Sequence, residues 1–251
     1  MSGTDHSQVA ETSPVGLSFV LVQPQMGENI GAAARGMWNF GLDRMRIVAP
    51  RDGWPNERAV AMASGAGRVL DQVMLTETVP EAAADLHFTY ATTARARDLT
   101  KPVLTPEEAM ADAHHRIADG QNVGILFGPE RAGLENDDLA GANALISVPV
   151  NPAFGSLNLG QCVLLLAYEW RRQAASSQAT KEDRTRPATQ IEVEKLFEHM
   201  ETNLTEARFF YPETKAAHMR TNLRNLLSRM PMTDADIRIL HGVVRALSGG
   251  R

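Results

Sequence analysis

Uninterrupted apolar runs alternate with stretches of helical periodicity along residues 17–173. Short apolar runs flanked by polar residues are typical of strands that are buried on both faces. Strands alternating with helices favour an α/β fold, in which helices cover both sides of a mostly parallel sheet. The predicted strands are Leu17–Val22, Met45–Val48, Leu86–Ala91, Asn122–Phe127 and Ala144–Val148, and Val69–Leu75 could hold another; the predicted helices are Asn29–Phe40, Glu57–Met62, Val79–Asp85, Pro106–Asp119 and Leu157–Gln173.

Several predicted helices begin at a suitable capping residue. Asn29 is a suitable N-cap at the start of the first helix, and either Ser156 or Asn158 could cap the helix that ends at residue 173. Thr233 and Asp236 have the spacing of an approximate capping box. These residues also have the polar groups that a binding site would use, so a capping role and a functional role compete for Ser156 and Asn158.

The pattern changes after residue 173. Residues 174–190 are polar, contain Ser, Thr, Lys and Pro, and have no hydrophobic period, which is typical of a linker. Residues 191–251 then predict three helices and no strand. With a disordered tail over residues 1–14, the chain is expected to consist of an α/β domain over residues 15–173 and a small all-α domain over residues 191–251.

Composition excludes several classes of protein. Residues 1–14 lack the pattern of a signal peptide, and the longest apolar run, Cys162–Tyr168, is too short to cross a bilayer. Cys162 is the single cysteine, and no Cys/His spacing resembles a zinc site. We expect a cytoplasmic protein with no membrane partner and no metal.

The charge is unevenly divided. Residues 1–170 contain 11 Lys and Arg against 20 Asp and Glu, whereas residues 171–251 contain 14 against 10. A basic segment beside an acidic domain suggests a polyanionic partner, although a solvated helical surface explains the same composition equally well.

Three polar motifs follow predicted strands, where ligands of parallel sheets are bound. The first is NIGAAAR, residues 29–35, in which Arg35 could equally be a surface residue of an alanine-rich helix. The second is FGPERAGL, residues 127–134. It lacks the residues of a P-loop and of a dinucleotide-binding motif, so a tight turn is its structural alternative. The third is VPVNPAFGSLNL, residues 148–159, which is more elaborate than a helix cap requires.

In this order and spacing, the three motifs resemble those of the SpoU branch of the SPOUT class of RNA methyltransferases. The resemblance covers residues 17–173 well and extends more loosely to the C-terminal helices. It is strongest to the enzymes of this branch that methylate the ribose at position 32 of the tRNA anticodon loop. It implies a sheet whose C-terminal part is tied in a deep trefoil knot, an exception to the rule against threaded chains. It also implies a homodimer in which the partner subunit completes each active site.

The resemblance further implies a role for individual residues. S-adenosylmethionine would be bound at Thr92, Thr93, Ala94, Gly128, Val148, Gly155, Ser156 and Leu157. Arg35 matches the catalytic arginine, and Ser156 matches a serine that orients the ribose or the arginine. Asn29, Glu130 and Asn158 match positions that shape the site. No metal is required, because the methyl group of a sulfonium is already activated.

Basic residues that follow the expected cofactor loop are candidates for RNA contacts. Arg95 and Arg97 are the first candidates, and Lys101 with the basic C-terminal segment could add phosphate contacts; a solvated basic loop is the alternative. We expect tRNA as the substrate. Two alternatives are an rRNA 2′-O-methyltransferase and a non-catalytic RNA-binding protein of the same fold. The joint presence of Asn29, Arg35, Glu130, Ser156 and Asn158 speaks against the second alternative.

Overall fold

The computed structural model of the chain describes residues 16–93, 101–174 and 186–248. Within these ranges, seven strands form one sheet with the order β3-β2-β1-β6-β4-β7-β5, and every pairing between them is parallel. The expected α/β class is confirmed. The strands are β1 Leu17–Val22, β2 Met45–Val48, β3 Met74–Thr76, β4 Phe88–Thr92, β5 Val103–Leu104, β6 Val123–Phe127 and β7 Ala144–Ile146.

Helices cover both faces of the sheet. They are α1 Gly27–Asn39, α2 Glu57–Ala63, α3 Gly67–Asp71, α4 Val79–Ala83, α5 Pro106–Ala118, α6 Asn136–Gly141 and α7 Leu159–Gln173. Alternate residues of β1 enter different apolar clusters. Phe19 packs with α1, α5 and α7, and its ring lies 5.2 Å from that of Phe127, whereas Val20 packs with α4 and α6 on the opposite face. This period of two explains why the central strands are apolar throughout.

The observed elements differ from the predicted ones in several places. The region expected to hold one strand over Val69–Leu75 contains α3 followed by β3. The short elements β5 and α6 were not predicted, because two and six residues are too few to show a period. The helix expected from Asn29 starts at Gly27 with Met26 as its N-cap. Asn29 therefore lies in the first turn of α1, and the prediction that it caps the helix is wrong.

Three further helices follow residue 186, as predicted: α8 Gln190–Glu206, α9 Glu213–Ser228 and α10 Asp234–Ser248. Their shared cluster includes Leu196, Phe197 and Leu227. The expected capping box is present, since the Thr233 hydroxyl accepts from Asp236 N at 3.2 Å and Thr233 N donates to the Asp236 carboxylate at 2.7 Å. We call α8, α9 and α10 the helical unit; α8 contacts α4, and α9 contacts α6.

No helix in the described ranges is both long and apolar enough to cross a membrane.

Candidate active site

A cavity of about 680 Å³ lies at the carboxyl ends of β4, β6 and β7, which are neighbours in the sheet. The loops that follow these strands form its walls, which is where parallel sheets bind ligands. The β6 loop belongs to the FGPERAGL motif, and the β7 loop belongs to VPVNPAFGSLNL. The lining residues are Thr92, Thr93, Phe127, Gly128, Pro129, Glu130, Arg131, Ala132, Gly133, Leu134, Leu139, Ile146, Val148, Val150, Pro152, Gly155, Ser156, Leu157, Leu159 and Cys162.

The loop after β6 folds back tightly on itself. Gly133 N donates to Pro129 O at 2.9 Å, and Gly133 has a φ of +68°, in the left-handed region. A Cβ atom at Gly128 would lie 2.2 Å from the backbone nitrogen of Leu134. Glycine is therefore required at position 128 by close backbone approach, and the turn presents backbone atoms to the cavity.

Side chains from the three motifs are linked by hydrogen bonds. The Asn29 Nδ2 amide donates to Glu130 Oε1 at 2.6 Å, and Asn158 Nδ2 donates to Asn29 Oδ1 at 2.9 Å. The second carboxylate oxygen of Glu130 accepts from Gln25 N at 3.0 Å. Because Asn29 is inside the first turn of α1, its side chain is available to join the two cavity loops. These bonds fix the relative positions of α1 and both loops.

The start of α7 is also fixed by this network. Asn158 Oδ1 accepts from Gly160 N at 2.9 Å and is the N-cap of α7, so of the two capping candidates Asn158 is the one confirmed. A Cβ atom at Gly160 would lie 2.9 Å from Ala32 Cβ, which shows how closely α7 approaches α1. Asn158 thus has both a capping role and a linking role.

The structure brings most of the predicted cofactor-binding residues together. Those that line the cavity are Thr92, Thr93, Gly128, Val148, Gly155, Ser156 and Leu157, and Glu130 lines it as well. Ala94, Arg95 and Arg97 lie outside the described residues.

Arg35 does not reach the cavity of its own chain. It is exposed on α1, one turn beyond Ala32, and is absent from the cavity lining. Among the described residues it forms no hydrogen bond or ion pair. A guanidinium with no partner in residues 16–93, 101–174 and 186–248 is available to an RNA or to a second subunit.

Lys101 is not a phosphate contact, and the prediction that it could be one is wrong. Its side chain is buried, with the residue only 7% exposed, and Nζ donates to Ala140 O at 2.8 Å, to Ala142 O and to Ser228 Oγ at 2.6 Å. Burial, together with repulsion from Arg229, lowers the pKa of Lys101 to about 7.

Sequence reasoning missed some cavity residues that lie outside the matched motif positions. One of these residues is Cys162. It is partly buried and faces the cavity, and burial raises the pKa of its thiol to about 12, so it is not a thiolate. Its position one turn after Asn158 could have indicated that it faces the same way. Leu139 had no such signal, because it lies in the unpredicted α6.

Comparison with known families identifies the family of the chain. The sequence profile of the SpoU rRNA Methylase family matches residues 16–168, which is more than half of the chain. The chain belongs to the SpoU methylase family. A second profile, described as the C-terminal domain of the tRNA methyltransferase TrmJ, matches residues 191–250. The expected resemblance and the expected enzyme class, an RNA 2′-O-methyltransferase, are confirmed.

Relatives within the SpoU methylase family cover the helical unit as well. A tRNA (cytidine/uridine/adenosine-2′-O-)-methyltransferase TrmJ from Pseudomonas aeruginosa is 34% identical over 238 residues, which cover 91% of this chain and 92% of that protein. A TrmJ from Klebsiella pneumoniae is 31% identical, with 92% and 96% covered. The crystal structure of TrmJ from Z. mobilis ZM4 has a TM-score of 0.83 and 50% identity, covering 92% of this chain and 98% of that chain.

Proposed function

We propose that this SpoU-family protein is an S-adenosylmethionine-dependent tRNA ribose 2′-O-methyltransferase that acts in the cytoplasm on the pyrimidine at anticodon-loop position 32. The observation that carries the proposal is the cavity at which the β6 and β7 motifs meet, tied to α1 by Asn29. The names of the TrmJ relatives support tRNA rather than rRNA, because the matches to them include the helical unit.

The cavity fits the methyl donor in size and chemistry. Its volume is within the range of about 300–1,000 Å³ that is typical of small-molecule sites. Apolar side chains, among them Leu134, Leu139 and Ile146, line the cavity and would pack against the adenine of the donor, and backbone atoms of the loops would offer it polar groups. Bound S-adenosylmethionine would supply an activated methyl group on a sulfonium and would need no metal. The knot implied by the family fold would hold the β6 and β7 loops against each other.

Arg35 and Ser156 are the residues that we assign to the ribose. The attacking 2′-hydroxyl must lose its proton as the new bond forms, and a guanidinium stabilises the developing alkoxide or anchors an adjacent phosphate. Arginine remains protonated below a pH of about 12, so we assign it electrostatic stabilisation first. Ser156, on the cavity wall, would orient the ribose or Arg35.

We further propose a homodimer in which Arg35 serves the cavity of the partner subunit. The support is that Arg35 is exposed and does not line its own cavity, while the neighbouring helix α7 exposes Leu164, Leu165 and Tyr168. Exposed apolar side chains adjacent on one helix mark an interaction surface. A twofold contact through this surface would bring α1 of each subunit to the other.

RNA contacts are proposed at Arg95 and Arg97 and on the helical unit. Residues 186–248, which include α8, α9 and α10, carry nine Lys and Arg against eight Asp and Glu. The helical unit and the short segments around its helices are therefore nearly neutral. Of the net charge of +4 over residues 171–251, Arg171 and Arg172 at the end of α7 contribute +2, whereas residues 186–248 contribute +1. The helical unit should therefore attract the phosphates of RNA less strongly than the charge of residues 171–251 first suggested.

Two experiments test the proposed function. Mass-spectrometric nucleoside mapping of tRNA and rRNA from cells lacking the protein should show loss of one 2′-O-methylated nucleotide, at tRNA position 32. Loss from rRNA would favour the rRNA alternative, and no loss, together with no methyl transfer to tRNA in vitro, would favour a non-catalytic protein.

Mixed dimers test the shared site. Arg35→Ala removes the arginine, and Gly155→Phe fills the cavity, where a Cβ atom has room because its nearest neighbour is Val150 Cγ2 at 3.7 Å. Each variant alone should be inactive. A mixture that exchanges subunits should regain about a quarter of the wild-type rate, because half of the dimers then contain one intact site. No recovery in mixed dimers would place Arg35 in the site of its own chain.

A further inference from the structure

A buried polar junction joins the helical unit to the α/β sheet. We call it the junction, and it consists of Lys101, Asn143, Ser228, Thr89 and Gln190. Lys101, Asn143 and Ser228 are 7%, 8% and 2% exposed, so their polar groups are removed from water. Buried polar groups are costly unless each is hydrogen-bonded, and a buried ammonium is the most costly of them.

The ammonium of Lys101 is satisfied only when the helical unit is in place. Two of its acceptors, Ala140 O and Ala142 O, lie at the end of α6, and the third is Ser228 Oγ of α9 at 2.6 Å. The Ser228 hydroxyl donates in turn to Ala140 O at 2.7 Å. Three acceptors match the three donors of an ammonium, so loss of the hydroxyl leaves one N–H unpaired.

Asn143 makes a second connection between the two parts. Its backbone N donates to Thr89 O at 2.9 Å, and its side-chain Oδ1 accepts from Thr89 N at 2.7 Å, which extends the pairing of β4 and β7. Its Nδ2 donates to Ser228 O. Gln190 of α8 donates to Thr89 Oγ1 at 3.1 Å and to Asn143 Oδ1. Both helices α8 and α9 therefore bind the segment that leads into β7.

This junction lies directly behind one wall of the cavity. Leu139 lines the cavity and is adjacent in sequence to Ala140, whose carbonyl accepts from both Lys101 and Ser228. Ile146 also lines the cavity, three residues after Asn143. A shift at the end of α6 would move the apolar surface against which a ligand packs.

We propose that Lys101 and Ser228 are positioning residues for the methyl-donor cavity, so that the helical unit sets the affinity for S-adenosylmethionine as well as any contact with tRNA. Neither residue touches the cavity, and both act through α6. This inference rests on the proposed function, because it names the ligand of the same site.

The test measures cofactor affinity in the full-length protein. The variants are Lys101→Met, which keeps the length of the side chain, and Ser228→Ala. The control is Ser248→Ala, which removes an exposed hydroxyl that donates to Val244 O and Arg245 O of α10. Calorimetry with S-adenosylmethionine and S-adenosylhomocysteine should be done at about pH 6.5, below the pKa of Lys101, and at a temperature at which circular dichroism shows every variant folded.

We expect Lys101→Met to raise the Kd by about tenfold and Ser228→Ala by about threefold or more, each through lost hydrogen bonds at the end of α6. The double variant should bind no more weakly than Lys101→Met alone, because both substitutions break the same hydrogen bond, that between Lys101 and Ser228. The KM for the methyl donor should rise, while kcat at saturating donor stays within about twofold of wild type.

Two outcomes would overturn the inference and are distinguishable. If wild type binds the donor and both variants bind within twofold of the control while only their Tm falls, the junction is purely structural. If wild type binds neither ligand, the proposed function itself fails, and the inference fails with it.

Discussion

The α/β part and the helical unit are stabilised in different ways. Among the residues that the structure describes, two apolar clusters of 29 and 10 buried residues flank the sheet, whereas the cluster of the helical unit has seven. In α10, Ile237 is buried, while Ile239, Val243 and Leu247 are exposed. A three-helix unit with so small a core has little stability of its own. The helical unit therefore depends on its polar junction with the sheet, and a freely tethered module is a poor description of it.

The substitution with the largest expected effect is in the α/β part, at Arg35, and it should lower the rate of methyl transfer. Because Arg35 is exposed and bonds to nothing within the described chain, Arg35→Ala should leave the fold and donor affinity intact. The rate of methyl transfer should fall by about a hundred- to a thousandfold, as when one transition-state donor is lost. Single-turnover assays with tRNA measure this fall, and Arg44→Ala, another exposed arginine, is the control. A variant that keeps more than about a tenth of the rate would contradict the catalytic assignment.

The next largest effect should be on stability, at the junction. Asn143→Ala removes bonds to Thr89, Gln190 and Ser228 and leaves buried groups unpaired. The free energy of unfolding should fall by about 2–3 kcal/mol, measured by denaturant titration. Asn222→Ala on the exposed side of α9 is the matched control and should change it by less than about 0.5 kcal/mol. An equally small loss at Asn143 would mean that the two parts are not coupled through this residue.

Two helix caps, one in each part, sharpen the contrast. Asn158→Ala removes the cap of α7, and Thr233→Ala removes the hydroxyl that accepts from Asp236 N at the start of α10. Each substitution should cost about 1 kcal/mol of stability. Only Asn158→Ala should also weaken donor binding, because Asn158 is linked to Asn29 and so to Glu130. Calorimetry on both variants compares them directly. Equal donor affinity would assign Asn158 a capping role alone.

The two parts also differ in how much could be predicted from the sequence. Apolar runs located the central strands, because that signal is local. The family resemblance, rather than any local pattern, indicated the cavity residues Thr92, Thr93, Gly128, Val148, Gly155, Ser156 and Leu157. The junction could not be predicted in this way. Lys101 was a candidate for phosphate contacts, since nothing in its neighbours shows that Ser228, 127 residues away, would accept from it. Asn29 was expected to be a cap for the same reason, because its partner Glu130 is 101 residues distant.

The smallest expected effect is on the free energy of unfolding, through an ion pair at the start of the helical unit. The Glu192 carboxylate accepts from Arg186 at 2.7 Å and from Thr189 N at 2.8 Å, and these bonds, that to Arg186 first, lower its pKa from 4.5 to about 2. Because the pKa of Glu192 is lower in the folded than in the unfolded protein, ionised Glu192 stabilises the fold at pH values above its pKa in the unfolded state. This contribution is lost as the pH falls from about 4.5 towards 2.

Glu192→Gln should therefore cost only about 0.2–1 kcal/mol at neutral pH, because the pair is partly exposed. The difference in unfolding free energy between wild type and this variant should shrink as pH is lowered through about 4, where the unfolded carboxyl takes up a proton. Denaturant titrations of both proteins between about pH 7 and pH 3.5 measure it. If the difference in unfolding free energy stays constant between about pH 7 and pH 3.5, it does not depend on the charge of Glu192. It would then come from packing or cap geometry that the glutamine amide fails to reproduce. The charge of the Arg186 pair would then contribute nothing to the attachment of α8 beside Gln190.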